Sequence, residues 1–295
     1  MTLPLDGILV ADFSRVLAGP LASATLADLG ARVIKVERPG RGDDTRSWGP
    51  PWTGNSASYF ESANRNKESI VLDLGESADN DLARELARRA DVVIENFLPG
   101  TLDRFGLGYD QVRESNPGVV YCSVTGFGSG GGAHLPGYDF LVQAVGGLMS
   151  ITGDSDDSGG TPMKVGVALV DVLTSKDATT GILAALHARN RTGRGQRVEV
   201  NLLSSLLASL VNQASAYLTT GTAPGRMGNA HPSIAPYELL PCADGPLVIA
   251  CGNDGQFRTL AATLGNESLA DDDRFATNAA RVHHRPALRA ELGDL

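Results

Sequence analysis

Short apolar runs alternate with stretches of helical spacing from Ile8 to Asn201. Residues 8–13, 32–37, 69–74, 92–94, 119–124 and 196–201 carry apolar or β-branched residues in runs or in alternation and are bounded by turn residues, which predicts six strands. Between them, residues 20–28, 79–90, 109–115 and 171–189 predict helices. The first has Pro20 in its opening turn and Gly30 past its end, and the second has Leu82 and Leu86 four apart among charged residues. Strand–helix–strand repetition with short links implies parallel pairing and a doubly wound α/β sheet. The texture then changes. Residues 202–218 predict one long helix, and 221–236 are rich in Gly, Pro, Asn and Ser. Residues 237–240 and 247–250 flank Ala243-Asp-Gly245, a hairpin signal, and 255–264 predict a helix. The expected division is a large domain over 1–201, a linker helix and loop over 202–236, and the start of a smaller α+β domain over 237–295.

Composition narrows the function. A formal net charge of −9 argues against nucleic acid and against polybasic membrane docking. Cys122, Cys242 and Cys251 are far apart, so neither a disulfide framework nor a zinc site is expected. The N-terminus lacks a basic segment followed by an apolar one, which makes a cytoplasmic setting the expectation.

In open α/β sheets, ligands bind beyond the carboxyl ends of the strands. The segments at those ends carry Arg15, Arg38, Arg41, Arg46 and Arg104, with Arg65 and Lys67 just before the third strand. Cations gathered there suit a phosphate or pyrophosphate, and plain surface arginines are the other reading. No glycine motif forms a nucleotide fingerprint. Gly126, Gly128 and Gly130-Gly-Gly132 read as a mobile flap or as an ordinary loop. His134, His187, His231, His283 and His284 show no metal spacing. Asp171 stands apart, because it enters a helix from the apolar run Gly166-Val-Ala-Leu-Val-Asp171. It reads either as an N-cap or first-turn acid, or as a desolvated carboxylate suited to nucleophilic catalysis.

Leu9-Val-Ala-Asp-Phe13, Ala18-Gly-Pro20, Leu29-Gly-Ala-Arg-Val-Ile-Lys-Val-Glu37, Arg65-Asn-Lys67, Glu95-Asn-Phe97, Arg104-Phe-Gly106, Gly137-Tyr-Asp139 and Thr192-Gly-Arg-Gly-Gln196 run in order along the chain. Together they resemble the class III CoA-transferases, the CaiB/BaiF family. The resemblance implies a Rossmann-like large domain, a small domain and two chains interlocked as a homodimer. In such a family the chain returns to the large domain, so an end at Leu295 looks shortened. Coenzyme A and acyl-CoA are implied as substrates, with a small carboxylic acid as acceptor and no tightly bound cofactor or metal.

By position, the resemblance makes Asp171 the nucleophile that passes through an aspartyl anhydride and an aspartyl-CoA thioester. It makes Val16, Leu17, Arg38, Lys67 and Arg104 CoA contacts. Tyr138, Asn229 and His231 become candidate contacts to the acyl acceptor, and Gly228-Asn-Ala-His with Tyr237 resembles the dicarboxylate users. Two alternatives stand beside this reading. One is a 2-methylacyl-CoA racemase, which would need a histidine where this chain has Tyr138, and a phenol with an ordinary pKa of about 10 is a poor replacement. The other is a catalytically silent CoA-binding protein.

Overall fold

The apolar runs become the strands of one six-stranded sheet in the computed structural model, which describes residues 2–293. In chain order they are β1 (Leu9–Asp12), β2 (Arg32–Glu37), β3 (Lys67–Val71), β4 (Val92–Glu95), β5 (Val120–Thr125) and β6 (Arg197–Asn201). Their spatial order is β3-β2-β1-β4-β5-β6, with every pair parallel. Val10 lies between Val33 and Val92, and Ile94 faces Cys122. Successive strand residues point to opposite faces, so a central strand covered on both sides is apolar at most positions, and the polar ones it buries must be paired. Val10, Val92, Ile94 and Val120 pack beneath α1 (Ala18–Asp28) and α6 (Leu169–Thr192). Ala11, Val93 and Tyr121 form the other core, with Ala83 and Ala87 of α3 (Ser77–Arg89) and Val112 of α4 (Tyr109–Ser115).

The strands and main helices fall within a few residues of the sequence expectation, with informative differences. α3 buries Ala83 and Ala87, while Leu82 is 59% exposed, so its inward face is one residue away from the expected one. β3 starts two residues early, at Lys67. Among the helices not anticipated are two short ones in the first half of the chain with too little pattern to read: α2 (Ser58–Asn64) and α5 (Asp139–Val145). The expected helix 202–218 is two, α7 (Leu202–Ser209) and α8 (Val211–Thr220). They break where Val211 takes φ +39°, a conformation that costs a β-branched residue dearly inside a helix.

By contacts the chain forms two units: residues 1–148 with 165–220, and residues 149–164 with 221–295. The helical part of the expected linker therefore belongs with the first unit, where Leu202 and Leu206 are buried in the sheet's core. In the second unit β7 (Tyr237–Cys242) and β8 (Gly245–Ala250) pair antiparallel, as the turn signal implied. The hairpin is followed by α9 (Asp254–Thr263), α10 (Asn278–His283) and α11 (Arg285–Gly293). That unit's core contains a fully buried cation, Arg281. Its donors meet the carbonyls of Ala235 and Phe275 and the carboxylate of Asp254 at 2.7–2.8 Å. No described helix is long and apolar enough to cross a membrane.

Candidate active site

The order of strands reverses between β1 and β4, and the segments that leave their carboxyl ends splay apart there. Residues 15–18, 96–99 and 124–128 line a cavity of about 300 Å³, and Asp171 lies in its wall. Asn96 locks the first segment to the second, because its side chain accepts from Arg15 N at 2.8 Å and donates to Arg15 O at 2.7 Å.

Val16 adopts φ +70°, a left-handed conformation that a β-branched residue reaches only under compulsion. The compulsion is visible below it. Both oxygens of Asp43 face the Val16 N–H, at 3.2 and 3.3 Å, and the same carboxylate pairs with Lys35 Nζ at 2.9 Å. Lys35 also donates to Ser14 O at 2.8 Å, and both side chains of the pair are sealed from solvent. Val16 and Leu17, expected as CoA contacts, line this cavity.

Lys67 departs from its expected role. Its ammonium is 2% exposed, and its donors meet Asp12 Oδ2, Pro20 O and Asn64 Oδ1 at 2.8–3.0 Å. All three of its protons are engaged there, so none remains for a phosphate. Burial pushes the Lys67 amine down, against the pull of Asp12, to about 8. Burial would raise the Asp12 carboxyl, but Lys67, Lys35, Ser14 and Ser23 outweigh it and hold it at about 2.

A second cavity, about 230 Å³, opens over the ends of β1, β2 and β3. Phe13, Leu72, Leu74 and Phe105 make its apolar walls, and Arg38 supplies a cation. Arg15 lines both cavities. Arg104 is exposed on the turn Leu102–Phe105, one residue from Phe105.

Asp171 sits in the first turn of α6, which makes it a first-turn acid and not the N-cap. The N-cap residue is Ala168, whose side chain can serve no backbone donor. Asp139 serves them instead: its Oδ1 accepts from Val170 N at 2.8 Å and from Asp171 N at 3.4 Å. Its Oδ2 accepts from Gln143, whose own amide oxygen takes Val165 N at 2.9 Å. Burial, reinforced by the neighbouring Asp139 charge, pushes the Asp171 carboxyl up to about 7. The sequence alone marks no role for Asp139. Its four-residue spacing from Gln143 was the one local signal, and nothing local marks its reach to α6.

The glycine-rich segment forms one wall of the site. A Cβ on Gly126 or Gly137 would lie 2.4 Å from the other's Cα, so the two backbones touch and pinch the loop shut at its base. His134 and Tyr138 line the cavity from this loop, Tyr138 with 64% of its surface exposed. Asn229 and His231 belong to the second unit, where His231 Nδ1 accepts from Ser233 N and the ring tilts against Tyr237.

Asp171 thus lies at the switch point of the sheet, in the wall of a cavity that also carries Arg15. The profile of CoA-transferase family III covers residues 5–295. The chain belongs to CoA-transferase family III. The transferase is 50% identical over 293 residues to the succinate–glutarate CoA-transferase of Agrobacterium fabrum, covering 97% of this chain and 72% of that one. It is 46% identical to the succinyl-CoA:glutarate CoA-transferase of Mus musculus, covering 97% of this chain and 65% of the relative. The structure of a CAIB/BAIF family protein from Brucella suis superposes with a TM-score of 0.86 at 49% identity, over 100% of this chain and 78% of that one. The transferase thus shares its six-stranded parallel α/β core with the CaiB/BaiF proteins.

Proposed function

We propose that this transferase moves CoA from an acyl-CoA to a small dicarboxylic acid, with Asp171 as the covalent nucleophile. One observation carries the reading: Asp171 is a carboxylate in the wall of the switch-point cavity, poorly solvated, with its backbone fixed by Asp139. Its carboxylate attacks the thioester carbonyl and CoA thiolate leaves, giving a mixed anhydride. The thiolate then attacks the aspartyl carbonyl, which releases the first acid and leaves an aspartyl-CoA thioester. The incoming acid reverses the two steps. Splitting the transfer this way keeps the thioester free energy, provided water is excluded from the anhydride. The apolar flank of α6 and the pinched loop over the cavity support that exclusion. The second cavity suits the adenosine end of CoA, with Arg38 near its phosphates. The names of relatives at 46–50% identity support succinate and glutarate as the acid class. Two copies of the chain form the assembly in this reading, and the exposed apolar side chains Phe140, Val145 and Leu218 offer contact surface.

The test is a matrix of acyl-CoA donors and free acids in deuterated water, read by mass spectrometry of the CoA products. Succinyl-CoA with glutarate should give glutaryl-CoA without deuterium at the α-carbon. Exchange of that proton with no acceptor present would instead establish the racemase chemistry for which Tyr138 stands in place of histidine.

The raised Asp171 pKa has a kinetic consequence. The nucleophile must be ionised, so kcat/KM should rise with pH and level off above about 7. Asp139→Asn removes the second cause of the shift and leaves burial, the larger one. The midpoint should move to lower pH and stay above the ordinary aspartate value. A midpoint that stays put or rises would remove Asp139 from this role.

A further inference from the structure

Asp44 opens the turn Asp44–Ser47, directly after the buried Asp43. Its carboxylate faces both cations of the crevice. Oδ1 accepts from Arg38 Nη2, and Oδ2 stands 3.6 Å from Arg15 Nη1. Asp44 lines the first cavity, Arg38 the second and Arg15 both. Unlike the sealed Asp43–Lys35 pair, these three side chains are 37–43% exposed.

We propose that Asp44 is an internal counter-ion that competes with a phosphate group of CoA for Arg15 and Arg38, and so sets how tightly the nucleotide is held. The inference rests on the reading of the crevice as a CoA site. Solvent-exposed ion pairs are weak, and a phosphate brings more charge and a better match to a guanidinium fork than one shared carboxylate. Arg15 is held poorly by Asp44. Its contact is at the outer limit of an ion pair, and its Nε is buried with no acceptor. The Arg15 backbone is clamped by Asn96, so a change of partner needs only a turn of the side chain, whose guanidinium lies over the Phe97 ring at 5.0 Å. Arg38 keeps its Nε bond to Gly42 O at 3.1 Å and exchanges only the outer nitrogen.

Calorimetric titration of the full chain with CoA decides the matter. Asp44→Asn should bind CoA about two- to fivefold more tightly than wild type at low salt, with a smaller gain at high salt. Asp73→Asn is the control. Asp73 lines the same cavity as Arg38 and its side chain serves Gly75 N, so this change removes equal charge without freeing an arginine and should gain less. In an Arg38→Ala background the Asp44→Asn gain should shrink. Unchanged or weaker CoA binding by Asp44→Asn, an equal gain from Asp73→Asn, or a full gain without Arg38 would each overturn the proposal. Failure of CoA to bind wild type overturns the CoA-site reading and this inference together. Binding by wild type with no gain in the variant overturns this inference alone.

Discussion

Asp171→Ala should lower turnover by at least about a thousandfold, because the change removes the group proposed to carry the acyl and CoA intermediates, not a contact that assists it. CoA affinity should stay within about threefold of wild type, since the cations and apolar walls assigned to CoA lie on other segments. Asp171→Asn should be as inactive as the alanine variant, which separates the loss of the nucleophile from the loss of side-chain volume. During turnover, wild type should show a mass increment on the peptide that contains Asp171, and hydroxylamine should discharge it. Residual activity near the wild-type rate, or an increment on another peptide, would exclude Asp171 as the nucleophile. Loss of CoA binding together with activity would mean that Asp171 acts in binding.

Asp43→Ala should produce the largest loss of stability. It leaves the Lys35 ammonium without its counter-charge in a place solvent does not reach. Breaking a buried pair from one side costs about 3–5 kcal/mol. For a chain of this size that lowers the melting temperature by about 10 °C. The same change withdraws the acceptor of the Val16 N–H, so Val16 is free to leave φ +70° and the cavity wall it forms. CoA binding should therefore weaken even well below the melting transition. Asp43→Asn keeps an oxygen for Val16 and Thr45 and should recover part of the binding while remaining less stable than wild type. A melting temperature within about 2 °C of wild type for Asp43→Ala would show that the pair contributes little.

The sheet was legible in the sequence because its central strands are buried on both faces, and continuous apolar runs such as 92–94 and 119–124 have few other uses. The site was legible where a single residue carries the signal. An acid inside an apolar run, as at Asp171, is conspicuous, and so are arginines just past strand ends. What depends on facing was not legible. Lys67 sits one residue beyond Asn66, which has φ +61°, and nothing in the order Arg65-Asn66-Lys67 says which cation turns in. The structure sends Arg65 to Asp28 at the surface and Lys67 to Asp12 in the interior. Val16 looks like any apolar residue in a list, and its left-handed backbone exists only because Asp43 arrives from 27 residues away. Long-range pairs of this kind leave no local periodicity.

The cap that α6 lacks is supplied by α5, so the first turn around Asp171 is not self-supporting. Fraying of α5 would release the Val170 and Asp171 amides and let the Asp171 carboxylate drift in the same event. Substitutions on α5 that never touch a substrate can therefore alter catalytic rate by changing how often that terminus is ordered, which places a dial on turnover in a helix of only seven residues.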